Sequence, residues 1–290
     1  MTYLEQRVSL ADYNRLWTEA ITQPDGTYSA RQTDDETERE FWKNFMKKKN
    51  GYRQDETAAP VMNAVKKILD GYDVDSILEI GPGWGNYTIE LSRLCRSLTC
   101  VDISPDVLSY IGRIAKENGR PNITGLLSKW EDVKPERKYD VVFGYNCFYR
   151  IKDLEQCFRQ MDLSARKLCM AGMGMGMMPP YYSEMKEKLG CRLLYGRKDM
   201  IYFINILYSM GIDADMKIIP LKKKFIYGSW DEALRGETSR LDAPQEWIAE
   251  KRPEIQEILS RYFRMREDGK LEYEYVFRGA VVSWEPCCQE

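Results

Sequence analysis

Histidine is absent from the 290 residues of the chain. This side chain is the commonest metal ligand and the usual general base near neutral pH. Without it, no catalytic triad that depends on an imidazole can form. Any reaction that the protein catalyses must therefore proceed without histidine.

Paired cysteine motifs and long apolar runs are also missing. The eight cysteines form no C-x-x-C pair, which disfavours zinc-ribbon and thioredoxin-like chemistry. No window reaches the ~18 consecutive apolar residues of a membrane span, and residues 1–10 lack the apolar core of a secretory signal. We expect a cytoplasmic protein with free thiols, no metal centre and no membrane partner.

A strong net charge is missing as well. The formal net charge is −2, which disfavours a broad phosphate-binding surface, so a nucleic-acid partner is not expected. Two lysine runs, at residues 47–49 and 222–224, are interpreted as solvated faces, with contact to an anionic substrate or partner as the alternative.

Strand-like and helix-like segments alternate through the middle of the chain. Short apolar runs predict buried strands at Ser76–Ile80, Leu98–Val101, Ile123–Leu127, Tyr139–Gly144 and Lys167–Met173. Helical spacing between these runs, and the Ser104-Pro105 start of one helix, indicate crossover helices. The pattern predicts an α/β fold that is doubly wound around a mostly parallel sheet.

The regions on either side of this alternation differ from it. Residues 1–57, with an amphipathic helix at Asp34–Lys49, are predicted to form an N-terminal helical cover. Residues 58–290 are predicted to form the main domain, with a substrate-side insertion at about 174–212 and a helical segment at about 229–268. The final strand, Leu271–Trp284, follows another strand without a crossover helix in the sheet, which predicts an antiparallel C-terminal edge strand.

A glycine-rich turn is the strongest local signal. The segment from Leu78 to Thr88 reads LEIGPGWGNYT and lies where the first strand ends and a helix begins, a place where ligands bind in open α/β sheets. The spacing is G-x-G-x-G rather than the G-x-G-x-x-G of dinucleotide-binding folds, because position 86 is asparagine. Asp102 ends the second strand, where a carboxylate can accept hydrogen bonds from both hydroxyls of a ribose.

Residues 76–173 resemble a class I S-adenosylmethionine-dependent methyltransferase domain. The resemblance implies a seven-stranded sheet, S-adenosylmethionine as cofactor and S-adenosylhomocysteine as product. It also implies aromatic residues of an N-terminal lid, Trp42 and Tyr52. The residues that it assigns to the cofactor are Glu79, Gly81, Gly83, Gly85, Asp102, Ile103, Trp130, Glu131, Tyr145, Asn146 and Tyr52.

One position departs from the pattern of that family. Lys129 stands where an aspartate that binds the adenine is often found. Two replacements are considered: Trp130 lies against the adenine, or Glu131 takes over the bond to its amino group.

Candidate catalytic residues follow the fourth strand. Tyr149 is a candidate to orient or deprotonate a nucleophile, with a packed aromatic ring as the alternative. Arg150 is a candidate partner for a substrate carboxylate, with an ion pair to Asp153 or Glu155 as the alternative. Glu184, predicted to lie in a proline-delimited loop, is a weaker candidate base.

Two further segments have unusual compositions. The run Met170–Pro180 contains five methionines, and its part from Met173 to Pro180 is predicted to be a loop. It is interpreted as a substrate wall, as a mobile packing loop or as a site for a soft metal. Cys287 and Cys288 are predicted to lie in a disordered tail, with soft-metal binding as the alternative.

Together these features predict in-line methyl transfer to a small-molecule acceptor. The sulfonium donor is already activated, so the protein mainly has to align the reactants and exclude water, and no imidazole is required. The alternatives are a protein or RNA methyltransferase, a non-catalytic S-adenosylmethionine-binding regulator and a nucleotide-dependent oxidoreductase.

Overall fold

The computed structural model of the protein describes residues 10–23, 25–134, 137–176, 178–194 and 200–287. Strands within these ranges are β1 (Ser76–Ile80), β2 (Ser97–Asp102), β3 (Ile123–Leu127), β4 (Tyr139–Tyr145), β5 (Ala165–Gly174), β6 (Arg192–Leu193), β7 (Asp215–Tyr227), β8 (Leu241–Asp242), β9 (Arg264–Met265) and β10 (Leu271–Trp284).

Helices in the same ranges are α1 (Leu10–Ile21), α2 (Ala30–Thr33), α3 (Asp35–Met46), α4 (Ala58–Leu69), α5 (Thr88–Ser92), α6 (Pro105–Glu117), α7 (Leu154–Ser164), α8 (Pro180–Leu189), α9 (Ile201–Ser209), α10 (Trp230–Thr238), α11 (Gln245–Glu250) and α12 (Arg252–Ser260).

The main sheet runs in the order β3-β2-β1-β4-β5-β10-β7, with β9 paired to β10. Neighbours from β3 to β5 are parallel, and β10 is antiparallel to both β5 and β7. The doubly wound, mostly parallel α/β class is confirmed, as is the antiparallel region at one end. Within that region the outermost strand is β7, and the C-terminal strand β10 lies one place further in.

Continuous apolar runs explain why the central strands were predictable. Every residue of β1 and β4 is buried, as expected for parallel strands with helices on both faces. The five strands from β1 to β5 lie within two residues of their predicted ends. The helix predicted at Ser104-Pro105 is α6, where the Ser104 side chain accepts a hydrogen bond from the Val107 amide and the proline occupies the first turn.

The N-terminal helices pack against the main sheet layers at two places. The buried Trp17 of α1 donates a hydrogen bond from Nε1 to the Ile151 carbonyl at 2.7 Å and contacts the ring of Phe203 in α9. Helix α3 lies beside α6, and the Arg39 Nε there donates to the Ile103 carbonyl at 3.2 Å. Helix α3 is thereby held next to the tip of β2.

The segment after β5 differs from the sequence prediction. The predicted loop around Glu184 is the helix α8, which begins at Pro180 because proline fits the first turn of a helix. Glu184 pairs with Lys188 at 2.7 Å and Arg261 at 3.0 Å, so its carboxylate is neutralised on the protein surface. The prediction that Glu184 lies in a loop was wrong.

The methionine-rich run begins inside the predicted fifth strand, and that strand ends at Gly174, one residue later than predicted. The first five residues of the run belong to β5, and Met170, Met173 and Met175 are buried in the core, while Met177 lies outside the described residues. At the other end of the chain, the Cys287 amide donates to Asp162 Oδ1 at 3.2 Å, whereas Cys288 lies outside the described residues. The cysteines from Cys95 to Cys191 are free thiols.

The C-terminal helices form a hydrophobic cluster of their own. It joins α8, α10 and α12 through buried residues that include Tyr181, Leu234 and Ile255. The helical segment predicted at about 229–268 contains α10, α11 and α12. Helices α11 and α12 are separate because Pro253 occupies the start of α12 and cannot continue a preceding helix. No helix in the described residues is long and apolar enough to span a membrane.

Candidate functional site

A cavity of about 790 Å³ lies at the carboxyl ends of the parallel strands, and we call it the strand-tip cavity. This is the edge of an open α/β sheet where ligands bind. Ten predicted site residues line it: Gly81, Gly83, Asp102, Ile103, Trp130, Glu131, Tyr145, Asn146, Tyr149 and Arg150.

The glycine-rich turn forms the floor of the strand-tip cavity. Gly81 and Gly83 have positive φ values of 59° and 53°, which residues with a side chain rarely adopt. A Cβ on Gly81 would lie 2.6 Å from the Cβ of Cys147, and one on Gly83 would lie 3.3 Å from the Trp42 ring. Bare main chain is therefore required where β1 meets the cavity, and it leaves room for a ligand to approach.

Asp102 provides a buried carboxyl group at the tip of β2. It is only 7% exposed and accepts a hydrogen bond from the Ser104 amide at 2.8 Å. Burial, with a further contribution from the negative Glu38, raises the pKa of Asp102 to about 7. A carboxylate with remaining lone pairs that face a cavity suits a ligand with paired hydroxyl donors.

Three predicted cofactor residues do not line the cavity. Glu79 is buried in β1, where burial raises its pKa to about 7 and it accepts a hydrogen bond from Cys100 Sγ at 3.5 Å. A Cβ on Gly85 would lie 2.6 Å from Ile114, so this glycine serves the packing of α6. Tyr52 packs into the core beside the site, and burial raises its pKa to about 12.

The turn after β3 forms the wall that the sequence assigned to the adenine. Trp130 is 4% exposed and its carbonyl accepts a hydrogen bond from Gln160 at 2.6 Å, while the Glu131 side chain is exposed. Lys129 points across the cavity to Asp35 of α3, with an Nζ–Oδ2 distance of 2.5 Å. The residue that departs from the family pattern is thus part of the contact with the N-terminal helices.

Backbone geometry fixes the residues at the tip of β4. Asn146 has a positive φ of 58°, which is uncommon for a residue with a side chain. Its Oδ1 accepts a hydrogen bond from the Gly174 amide at 2.8 Å, which ties the tip of β4 to that of β5. The Tyr145 ring fits against Gly172, where a Cβ would lie 2.5 Å from the ring.

Helix α3 closes the cavity over Tyr149. Glu38, which is 1% exposed, accepts hydrogen bonds from Arg31 Nε and Trp42 Nε1, each at 2.8 Å, and also from the Tyr149 hydroxyl. Burial, followed by the negative charge of Glu38, raises the pKa of Tyr149 well above its ordinary value. Tyr149 therefore keeps its proton and donates it in a hydrogen bond.

Arg150 also contacts α3, through the carboxylate of Asp35. Its Nη2 lies 2.8 Å from Asp35 Oδ1, and its side chain is 16% exposed. The partners considered from the sequence are engaged elsewhere, since Asp153 caps α7 and Glu155 pairs with Arg159 at 2.7 Å. Both predicted catalytic residues thus contact the N-terminal helix α3.

Comparison with known proteins identifies the domain that carries this cavity. The profile of a family described as "Methyltransferase domain" matches residues 77–166. None of the curated proteins compared with the chain is similar to it. The chain carries a class I S-adenosylmethionine-dependent methyltransferase domain.

Solved structures share the fold of this methyltransferase at low sequence identity. A protein from Bacillus halodurans C-125 that carries a provisional methyltransferase assignment has a TM-score of 0.52 and 10% identity, covering 78% of this chain and 98% of that one. The YcgJ protein from Bacillus subtilis has a TM-score of 0.50 and 14% identity, covering 77% and 97%. Identities this low establish the shared fold alone.

Several cavity residues of the methyltransferase were not predicted from its sequence. They come from segments far from the glycine-rich turn: Arg31, Asp35, Glu38, Asp55 and Arg240. Glu38 carried a usable signal, because it lies on the same helical face as Phe41, Trp42 and Phe45, where an acidic residue needs buried partners. The sequence gives no comparable signal for Arg240.

Proposed function

We propose that the methyltransferase transfers a methyl group from S-adenosylmethionine to a small molecule inside the strand-tip cavity. The observation that carries this proposal is the closure of the cavity by α2 and α3 through the buried Glu38 and the Asp35 ion pairs. The cavity volume of about 790 Å³ falls in the upper part of the range for small-ligand sites, roughly 300–1,000 Å³. A macromolecular acceptor would need an open groove at this place.

The residues of the strand tips fit the donor. Asp102 would accept hydrogen bonds from its ribose hydroxyls, while Gly81 and Gly83 let the main chain approach it closely. Ile103, Trp130 and Glu131 would contact the adenine, and Tyr145 and Asn146 the methionyl end. Glu79 is buried in β1 directly before the glycine-rich turn and would stabilise the conformation of that turn.

When bound, S-adenosylmethionine supplies a methyl group that its positive sulfur has already activated. The protein's task is then to align the acceptor and to exclude water. Tyr149 would orient a group by hydrogen bonding rather than remove a proton, because its own pKa is raised by burial. Residues 1–57 would act as the lid, with α3 as the part that contacts the reactants.

Donor binding is tested by thermal shift and calorimetry with S-adenosylhomocysteine and, separately, with NAD. We expect stabilisation by S-adenosylhomocysteine only, because bound ligand raises the free energy of unfolding. Asp102→Ala should weaken binding by at least about a hundredfold, since two hydrogen bonds to a charged group are lost and each contributes roughly 1.5–3 kcal/mol. Asp132→Ala, an exposed carboxylate outside the cavity lining, is the matched control.

The class of acceptor is tested by label transfer. The protein is incubated with methyl-labelled donor and a cell extract that has been divided into macromolecular and low-mass fractions. We expect label in products of the low-mass fraction. Label found only in protein or RNA would overturn the small-molecule proposal, and the absence of transfer with intact donor binding would favour a non-catalytic regulator.

A further inference from the structure

The strand-tip cavity has a far end that the donor residues do not occupy. The order of the strands places the predicted adenosine-binding residues at the tips of β3 and β2, and the glycine-rich turn at β1. Beyond β4, the cavity is lined by Gly176, which follows β5, and by Arg240, which follows α10. Arg240 therefore lies at the end of the cavity opposite the adenine wall.

The guanidinium of Arg240 rests on an aromatic ring. Its Cζ lies 5.2 Å from the centroid of the Tyr182 ring, a distance at which a cation is attracted to the face of an aromatic ring. The Tyr182 hydroxyl donates a hydrogen bond to Glu237 Oε2 at 2.5 Å, and Glu237 is 2% exposed. The ring beneath Arg240 is thus held from its buried side.

Glu237 is the centre of a wider network that fixes this ring. Its carboxylate also accepts hydrogen bonds from Tyr181 at 2.8 Å and from Tyr227 at 2.6 Å. Gly236 makes room for this arrangement, because a Cβ there would lie 2.7 Å from the Tyr227 hydroxyl. Burial of a carboxylate removes it from water, which is unfavourable unless hydrogen bonds replace the lost hydration. Three phenols meet that need, and they anchor α8 and α10 together under Arg240.

Three further cations line the cavity on the side of α3. Arg31 pairs with Glu38, and both Lys129 and Arg150 pair with Asp35. Arg240 comes from the opposite side of the cavity and brings positive charge to the end beyond β4. A planar guanidinium held on a fixed ring is suited to bind a carboxylate or phosphate through two parallel hydrogen bonds.

We propose that Arg240 binds an anionic group of the methyl acceptor, so that the acceptor is a small organic acid or phosphate ester. This inference rests on the proposed function, because it assigns one end of the same cavity to the acceptor. Tyr182 acts as a positioning residue for the guanidinium, and Glu237 fixes Tyr182.

The test uses the full chain saturated with S-adenosylhomocysteine. Benzoate and phenyl phosphate are titrated as anionic probes, and benzamide as a neutral probe of similar size, with calorimetry as the readout. We expect one or both anions to bind and benzamide to bind at least tenfold more weakly. Preference between the two anions separates a carboxylate acceptor from a phosphate acceptor.

Arg240→Gln should weaken binding of the preferred anion at least tenfold and leave binding of S-adenosylhomocysteine unchanged. Arg240→Lys should recover part of the affinity, because it keeps the charge and loses the planar fork. Arg235→Gln, an exposed residue in the last turn of α10 that does not line the cavity, is the matched control.

Two results would overturn the inference: neither anion binds the wild-type complex, or Arg240→Gln binds the anions as well as the wild type does. If S-adenosylhomocysteine itself does not bind, the proposed function is contradicted instead. The two failures are therefore distinguishable in the same titration series.

Discussion

Two buried carboxyl groups lie under the proposed donor site, and both titrate near neutrality. Burial raises the pKa of Asp102 and that of Glu79 to about 7. A hydroxyl of the ribose must donate its hydrogen to an ionised carboxylate, whereas protonated Asp102 has fewer lone pairs to offer. Donor binding should therefore be linked to the release of a proton whenever the pH lies below the pKa of the free protein.

The affinity for S-adenosylhomocysteine should fall as the pH is lowered. Above pH 7 Asp102 is already ionised, so affinity should be nearly constant. Below pH 7 binding must expel a proton, which costs up to about tenfold in affinity per pH unit for one group. Calorimetry at pH 8, 7, 6 and 5 in buffers of different ionisation enthalpy measures both the affinity and the protons released.

The substitution Glu79→Gln shows how much each of the two carboxyl groups contributes to the pH dependence of the affinity. Glu79 does not line the cavity, so most of the pH dependence should survive this substitution. Asp102→Asn should remove the dependence and leave weak binding at every pH. An affinity that is the same at pH 5 and pH 8 in the wild type would contradict the assignment of Asp102 to the ribose.

At the scale of elements, α3 is attached to the cavity walls by ion pairs that cross it. Asp35 holds Lys129 after β3 and Arg150 after β4 at once. These pairs are partly exposed, with side-chain exposures of 29% for Asp35 and 39% for Lys129, so each contributes modestly and is weakened by salt. Closure of α3 over a ligand should therefore depend on ionic strength.

Asp35→Asn should increase the dissociation rate of S-adenosylhomocysteine about fivefold, which corresponds to roughly 1 kcal/mol for ion pairs of this exposure. Stopped-flow measurements at low and high salt give the rate. The wild-type rate should rise with salt and the variant's rate should not. Glu36→Gln, at the neighbouring exposed position of α3, should behave as the wild type. Equal salt dependence in Asp35→Asn and wild type would show that these pairs do not control closure.

Secondary structure was predictable where the signal is local. The strand tips were found because the glycine-rich turn and Asp102 directly follow buried apolar runs. The start of helix α8 is not evident from the sequence, because two consecutive prolines favour a loop as well as the first turn of a helix. The partners Glu38 and Tyr149 lie far apart in sequence, and only the packing of α3 on the sheet brings them together.

For the molecule as a whole, the strand-tip cavity joins parts that have separate hydrophobic clusters. Asp102 and α3 adjoin the clusters around the parallel sheet, whereas Arg240 follows α10 in the cluster of α8 and α12. Elements with independent cores open independently, so a ligand protects only the parts that it contacts or closes. Hydrogen exchange can therefore show which parts respond to each ligand.

Saturating S-adenosylhomocysteine should slow amide exchange in α3 and in the turn from Gly81 to Gly85, and should leave α12 unchanged. At a concentration a hundred times the dissociation constant, the expected stabilisation of the elements that close is about 2.7 kcal/mol. Adding the anionic probe should extend the protection to the end of α10 beside Arg240. Uniform protection that includes α12 would mean that the ligand acts on global unfolding alone. If exchange in α3 is unchanged while the turn is fully protected, the N-terminal helices do not close on the donor. That result would contradict the assignment of these helices as a lid and would leave the donor site supported.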